Sequence, residues 1–190
     1  MKKHEVQTAT QLDCQGGKVM DEYIDIYDEN RKPTGEKVLR SEAAVGEGRY
    51  MLYALALIEN DKHQFLMTRR TMDKKWAPGA WEIPGGCASA GETSFDAACR
   101  EVWEETGLNI TACDRTPIYT YRNDDPASGD YYFCDIYRCP ITFGPSDIRI
   151  QSDEISDWQL ASKEGIDILQ RVGQVLHYER ICEALEKDGK

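Results

Sequence analysis

The residue types best suited to chemistry are three glutamates that fall on one stripe of a predicted helix. Glu101, Glu104 and Glu105 are three and four residues apart, the spacings that bring side chains to one face of an α-helix. Like charges at these spacings destabilise a helix by about 0.2–0.5 kcal/mol per pair, and the macrodipole disfavours anions in its C-terminal half. A bound cation would remove both penalties. The placement therefore favours a cation site over the solvated acidic face that most charge runs form.

A glycine-containing loop, Pro84-Gly85-Gly86, precedes this helix. Glycines let a backbone approach its neighbours closely, and the loop offers a carbonyl oxygen as a further ligand. Mg²⁺ and Mn²⁺ prefer such oxygens and keep positions for water and substrate phosphate. The loop and the glutamate stripe together indicate a metal-assisted phosphoryl or pyrophosphoryl site.

The helix that carries the glutamates has clear end signals. Thr93 is the expected N-cap, Asp96 occupies the capping-box position and Gly107 is the expected stop. We therefore predict a helix over 93–106. Helical spacing assigns its core face to Phe95, Ala98, Cys99, Val102 and Thr106.

The other elements follow from hydrophobic patterning. Alternation predicts a β-hairpin at 23–27 and 36–40, and apolar or alternating runs predict strands at 50–58, 64–70, 131–139 and 155–160. A second helix is predicted over 167–186, with Ile168, Leu169, Val172, Val175, Leu176 and Cys182 on one face. Strands mixed with two helices predict an α+β fold with helices packed on a mixed sheet.

The composition limits the class of protein. The chain has 190 residues, 41% of them apolar and 30% charged, which is typical of one globular domain. We expect residues 1–21 to be a poorly ordered lead-in and residues 22–190 to form the single domain. The net charge of −11 argues against a nucleic-acid partner, because carboxylates repel a phosphate backbone.

The sequence also bears on compartment and assembly. It has no run near the ~20 apolar residues of a membrane span, and no apolar segment follows the basic N-terminus as in a secretory signal. We therefore expect a cytoplasmic protein without a membrane partner. Seven cysteines without a Cys-x-x-Cys pair argue against a disulfide framework or a zinc site. The second helix could cover the sheet or pack against a second subunit, giving a homodimer.

The segment from Gly86 to Leu108 resembles a complete Nudix box. It reads Gly86, five residues, Glu92, seven residues, and then Arg100 to Leu108 as Arg-Glu-Val-Trp-Glu-Glu-Thr-Gly-Leu. With the flanking strands, the resemblance extends over residues 22–187. It implies an α/β/α sandwich around a mixed sheet, and hydrolysis of the diphosphate linkage in a nucleoside diphosphate derivative, a small-molecule partner.

The resemblance also implies roles for individual residues. By position, the metal ligands are the Gly85 carbonyl oxygen and the carboxylates of Glu101, Glu104 and Glu105, with Mg²⁺ or Mn²⁺ as the ion. Structural roles fall to Gly86, Glu92, Arg100 and Gly107. Arg100 can hold Glu92 through two hydrogen bonds, a geometry that lysine cannot reproduce.

Catalysis further requires a carboxylate that accepts a proton from the attacking water. The candidates are Glu101, Glu105 and Glu154, and Glu154 could equally be a surface loop residue. Arg69 and Arg70, which end a predicted strand, are candidates for contacts with substrate phosphate or base, although a solvated strand end is the alternative. Trp76 and Trp81 could stack on a base or pack in the core.

Two other functions remain open. Residues 23–70 are similar to isopentenyl-diphosphate isomerases, which share the fold but have a degenerate box and a catalytic cysteine. That cysteine would fall at Gly85, and Cys87 is displaced from it by two residues. A sensor that binds a nucleotide metabolite without cleaving it is the second alternative, although such sensors usually lack some of the box carboxylates.

Overall fold

A mixed β-sheet with helices on both faces forms the framework of the computed structural model, which describes residues 22–189. The predicted lead-in at residues 1–21 lies outside the described residues. The strands are β1 (Tyr23–Tyr27), β2 (Pro33–Leu39), β3 (Met51–Glu59), β4 (Phe65–Arg70), β5 (Trp81–Glu82), β6 (Gly85–Cys87), β7 (Tyr119–Asp125), β8 (Asp130–Pro140) and β9 (Ile155–Ala161). The helices are α1 (Ser94–Thr106), α2 (Lys163–Val172) and α3 (Tyr178–Asp188).

The main sheet has the strand order β5-β4-β3-β8-β7, with β6 also paired to β3 and β9 to β4. β3 and β8 run parallel, with Leu55 opposite Ile136, whereas the other pairs are antiparallel. β1 and β2 form a separate antiparallel hairpin. The mixed sheet and the predicted hairpin are both confirmed.

Alternate residues of β3 face opposite layers, as the two-residue period of a strand requires. Leu52, Ala54, Ala56 and Ile58 pack in the same cluster as α1 residues such as Val102. Leu55 and Leu57 pack with α2 and α3 residues, including Ile166 and Ile181. This arrangement confirms the expected α+β fold with a sheet between helical layers.

α1 begins and ends where the sequence predicts. The Thr93 side chain accepts a hydrogen bond from the Asp96 amide in a capping box, and Gly107 ends the helix with a φ of 71°. Phe95 is buried in the core, as predicted. Glu105 on the same helix is also buried, with 6% of its surface exposed.

The C-terminal segment differs from the prediction of one helix over 167–186. It forms α2 and α3, which are separated by residues 173–177. The intervening backbone runs beside β5, where the Trp81 amide donates to Gln174 O and the Leu176 amide donates to Trp81 O, each at 2.8 Å. Hydrogen bonding to this sheet edge replaces helix continuation, and Val172, which the prediction placed on the apolar face of a single helix, is 77% exposed.

No helix within residues 22–189 is long and apolar enough to cross a membrane. The six cysteines in that part of the chain are free thiols.

Candidate active site

A cleft of about 920 Å³ lies between the N-terminal hairpin, the loop before α1, α1 itself and the loop before β9. Its charged lining residues are Glu22, Glu101, Glu104, Glu105 and Glu154, together with Arg40 and Arg100. The structure thus brings the three stripe glutamates and Glu154 to one place, although Glu154 is far from them in sequence.

Two glycines allow the loop before α1 to lie against its neighbours. A Cβ atom at Gly85, where φ is 151°, would lie 2.2 Å from the Ala54 carbonyl oxygen. At Gly86, a Cβ atom would lie 2.4 Å from Glu101 Oε1. The Gly85 amide in turn donates to Glu105 Oε2 at 3.3 Å. The glycine backbone therefore directly borders two of the stripe carboxylates.

Burial raises the proton affinity of these carboxylates. The pKa of Glu105 lies well above its ordinary value, first because of burial and then because of the charges on Glu82 and Glu101. Burial also raises the pKa of Glu101, against the effect of Arg100. Glu104 is half exposed. The ionised forms of Glu101 and Glu105 are unfavourable in this buried site unless a positive charge compensates them.

Arg100 supplies part of that compensation. Its Nε and Nη2 atoms donate to both Glu92 oxygens, at 2.8 and 3.0 Å. Nη1 donates to Glu101 at 2.9 Å and to Glu104 at 3.2 Å, and Nη2 also donates to the Cys87 carbonyl at 3.0 Å. A guanidinium has five N–H groups, so all of them are used within the protein. Substrate could reach Arg100 only by breaking one of these contacts.

The carboxylates of the cleft are not arranged as a closed ion site. Within residues 22–189, no three Glu, Asp, His or Cys side chains already converge as an ion site would require. Arg100 Nη1 instead bridges Glu101 and Glu104. The donor chemistry nevertheless fits a hard divalent ion, because carboxylate and carbonyl oxygens are the ligands that Mg²⁺ and Mn²⁺ take.

Glu154 enters the cleft from the loop before β9. Its Oε1 atom lies 2.6 Å from Lys74 Nζ, and 41% of its side chain is exposed. The Thr71 amide donates to the Glu154 carbonyl oxygen at 3.0 Å, which ties this loop to the segment after β4. Lys74 was not among the predicted site residues.

Arg69 and Arg70 do not line the cleft. Arg70 donates to both Glu82 oxygens, at 3.2 and 3.3 Å, and its guanidinium lies over the Trp76 ring at 5.4 Å. Arg69 donates to Gly79 O at 3.0 Å. The two guanidinium groups are thus engaged with the Gly79 carbonyl and with Glu82, respectively.

Trp76 and Trp81 are likewise engaged outside the cleft. The Arg69 guanidinium lies 5.8 Å from the Trp81 ring, and Trp81 packs against the core cluster beneath α2 and α3. Trp76 is 56% exposed and pairs with Arg70. Neither ring is among the residues that line the cleft.

The contribution of the hairpin region to the cleft was not predicted from the sequence. Tyr23 and Arg40 line the cleft, and Tyr23 is half exposed. Both lie well before Gly86 in the chain and have no distinctive spacing from it. Only the folding of the hairpin onto the loop before α1 brings them to the site.

Comparison with known proteins identifies the family to which this chain is similar. The model of the NUDIX domain family matches residues 49–177. A Listeria monocytogenes protein named as an uncharacterized Nudix hydrolase is 32% identical over 157 residues, which is 81% of this chain and 88% of that protein. An isopentenyl-diphosphate Delta-isomerase of Salmonella heidelberg is 30% identical over 144 residues, 73% of this chain and 76% of that protein.

A crystal structure of a Deinococcus radiodurans protein shares the fold. It has a TM-score of 0.69 and 20% sequence identity, over 86% of this chain and 99% of that protein. The family match covers more than half of the chain and includes the loop, α1 and all three stripe glutamates. The chain therefore belongs to the Nudix family, and it is a Nudix hydrolase, an enzyme that acts on acid anhydrides in phosphorus-containing compounds.

Proposed function

We propose that the cleft hydrolyses the diphosphate linkage of a nucleoside diphosphate derivative with the help of Mg²⁺ or Mn²⁺. The observation that carries this proposal is that Glu101, Glu104 and the buried Glu105 line one cleft beside the glycine loop. Nudix hydrolases generally use divalent metal ions, and the site has the oxygen donors for one.

The residues that would hold the ion are Glu101, Glu104, Glu105 and the Gly85 carbonyl. When bound, the ion offsets the negative charge of the diphosphate and lowers the pKa of the attacking water. Glu92 and Arg100 would hold the loop and α1 in register, a role supported by the two hydrogen bonds between them. Gly86 would leave room for Glu101, and Gly107 would end α1 before the next loop.

Three carboxylates could accept the proton of the attacking water: Glu101, Glu105 and Glu154. A general base must lie within hydrogen-bond reach of that proton. Glu154 reaches the cleft from the loop before β9, and its contact with Lys74 keeps its carboxylate ordered at the wall. A pH–rate profile that changes shape in Glu154→Gln but not in a control such as Glu179→Gln, an exposed helix residue, would support Glu154 as the base.

The isomerase alternative is supported by the similarity to the Salmonella heidelberg enzyme. The thiol chemistry argues against it. Cys87 is fully buried, and burial raises the pKa of its thiol to about 12. A thiol that stays protonated and inaccessible is unsuited to catalysis.

The test is a release assay over Mg²⁺ or Mn²⁺ complexes of ADP-ribose, nucleotide sugars, dinucleoside polyphosphates, NADH, coenzyme A and oxidised nucleoside triphosphates. Wild type is run beside Glu101→Gln, Glu105→Gln and the control Glu179→Gln. We expect metal-dependent turnover of one compound and a loss of about 10²-fold or more in the two cleft variants only. A folded, metal-binding protein that turns over none of them would overturn the proposal. Isopentenyl diphosphate and calorimetric metabolite screening would then test the isomerase and sensor alternatives.

A further inference from the structure

The cleft contains two arginines among the described residues, and they differ in what they already bind. Arg100 uses every N–H group within the protein, as described above. Within residues 22–189, Arg40 donates from Nη1 to Glu22 Oε2 at 2.9 Å and also lies beside the Tyr53 hydroxyl, which together engage only part of its five N–H groups. Arg40 therefore retains donors for a ligand, whereas Arg100 does not.

The Arg40–Glu22 pair is also easy to exchange. The two side chains are 40% and 34% exposed, and ion pairs with this degree of exposure contribute little to stability. A phosphate group offers a guanidinium two parallel acceptors, a stronger arrangement than a single contact with a carboxylate. Exchange of Glu22 for phosphate would therefore cost the fold little.

The backbone of the hairpin is tied to the loop before α1. The Ala90 amide donates to Tyr23 O at 2.7 Å, and the Gly91 amide donates to an Asp25 carboxylate oxygen at 2.7 Å. The Arg40 amide donates to Glu22 O at 2.8 Å. These bonds hold Arg40 at the same cleft as the stripe glutamates, so that its charge acts on Glu101.

The negative net charge of the cleft lining favours a phosphate-binding role for Arg40. Five carboxylates and two arginines line it, which leaves an excess of negative charge facing an anionic substrate. Arg100 is committed to Glu92, Glu101 and Glu104. Among the described residues that line the cleft, Arg40 is therefore the positively charged side chain that can donate to a phosphate oxygen. A bound divalent ion would be the other source of positive charge.

We propose that Arg40 forms a phosphate subsite of this cleft, in which its guanidinium exchanges Glu22 for the oxygens of a diphosphate. The inference rests on the proposed function and adds a residue to it. Arg40 precedes residues 49–177, the part matched by the family model. The subsite is therefore contributed by the N-terminal hairpin of this chain rather than by the matched domain.

The test measures binding of inorganic pyrophosphate and of ADP, each as its Mg²⁺ complex, by isothermal titration calorimetry. We expect Arg40→Gln to raise Kd about ten-fold or more, because charge-assisted hydrogen bonds are lost. Arg40→Lys keeps the charge without the planar fork and should recover part of the affinity. Glu22→Gln should bind more tightly than wild type, since it removes both the competing partner and a negative charge.

The matched control is Arg49→Gln. Arg49 belongs to the same N-terminal region and pairs with Glu36, but it does not line the cleft, so its replacement should leave Kd within two-fold. Thermal denaturation would verify that each variant is folded. Unchanged binding in folded Arg40→Gln, or no binding of either probe to wild type, would overturn the inference.

Failure of this inference is distinguishable from failure of the proposed function. Turnover of a diphosphate derivative with unchanged KM in Arg40→Gln would retain the hydrolase and reject the subsite. Arg40-dependent binding without turnover of any derivative would retain the subsite and reject the proposed reaction.

Discussion

Arg31 and Asp135 join the N-terminal hairpin to the centre of the main sheet through an ion pair. Arg31 lies in the turn between β1 and β2, and its Nη1 atom donates to Asp135 Oδ1 at 2.9 Å. Asp135 is 1% exposed and also accepts hydrogen bonds from Ser94 and Thr120. The hairpin that contributes Arg40 to the cleft is thus anchored at its other end by a buried carboxylate.

Removing this anchor should strongly destabilise the protein. Arg31→Met leaves Asp135 buried without its counter-ion, and we expect a loss of about 3 kcal/mol in the free energy of unfolding, measured with urea. The double variant with Asp135→Asn should recover much of the loss, because the unpaired charge is gone. Arg49→Met, which removes an exposed ion pair, should change stability by less than about 1 kcal/mol.

Gly86→Ala should separate metal binding from folding. The added Cβ would meet Glu101 Oε1 at 2.4 Å, and a flexible carboxylate can move away at little cost to the fold. We expect weaker Mn²⁺ binding and slower hydrolysis, with nearly unchanged thermal stability. Gly46→Ala is the matched control, since a Cβ at Gly46 meets nothing within 4 Å. Equal Mn²⁺ affinity in the two variants would contradict this prediction.

Arg100→Lys should reduce the stability of the protein in the absence of substrate. Lysine cannot reproduce the paired hydrogen bonds to Glu92, and we expect a loss of about 1–3 kcal/mol in the free energy of unfolding. Arg115→Lys alters an exposed pair with Asp96 and serves as the control. Similar urea midpoints for the two variants would show that the Arg100–Glu92 contact contributes no more than a surface pair.

Glu82 should give the metal-free protein a stability that falls as pH rises. Burial raises the pKa of Glu82 to about 7 from an ordinary 4.5, so between these values the folded state holds a proton that the unfolded state has released. Its stabilising contribution is complete below pH 4.5 and is lost as pH rises through about 7. Glu82→Gln should remove a slope of up to about 1.4 kcal/mol per pH unit, measured by urea denaturation in chelator. If the free energy of unfolding of Glu82→Gln depends on pH as steeply as that of wild type, the raised pKa of Glu82 is contradicted.

His177 should make the stability of the protein rise with pH in the acid range. Burial lowers its pKa from 6.5 to about 4, and its Nδ1 atom lies 2.9 Å from the Tyr121 hydroxyl. Since the unfolded state takes up a proton first, its contribution is present above pH 6.5 and is lost as pH falls toward 4. His177→Asn suits the left-handed backbone at this position and should flatten the acid limb of the stability curve. If His177→Asn still loses stability as pH falls from 6.5 toward 4, another group causes that loss.

The sequence predicted α1 well because its signals are local. The capping residues Thr93 and Asp96 lie within one turn of each other, and Gly107 ends the helix by its own backbone preference. The single helix predicted over 167–186 failed for the converse reason. Its apolar spacing is compatible with helix throughout, but hydrogen bonds to distant Trp81 interrupt it. β7 was missed because its polar sequence forms a strand only when paired with β8.

The sequence by itself determined the family, α1 and the glutamate stripe, because these depend on residue types at short, regular spacings. Only the tertiary structure decided which groups share the cleft with that stripe. It brought in Arg40 and Glu154, placed Arg69 and Arg70 elsewhere, and left Arg100 without a free donor. The physical reason is that these contacts join segments far apart in the chain, and such contacts depend on sheet pairing and hairpin docking rather than on local patterns.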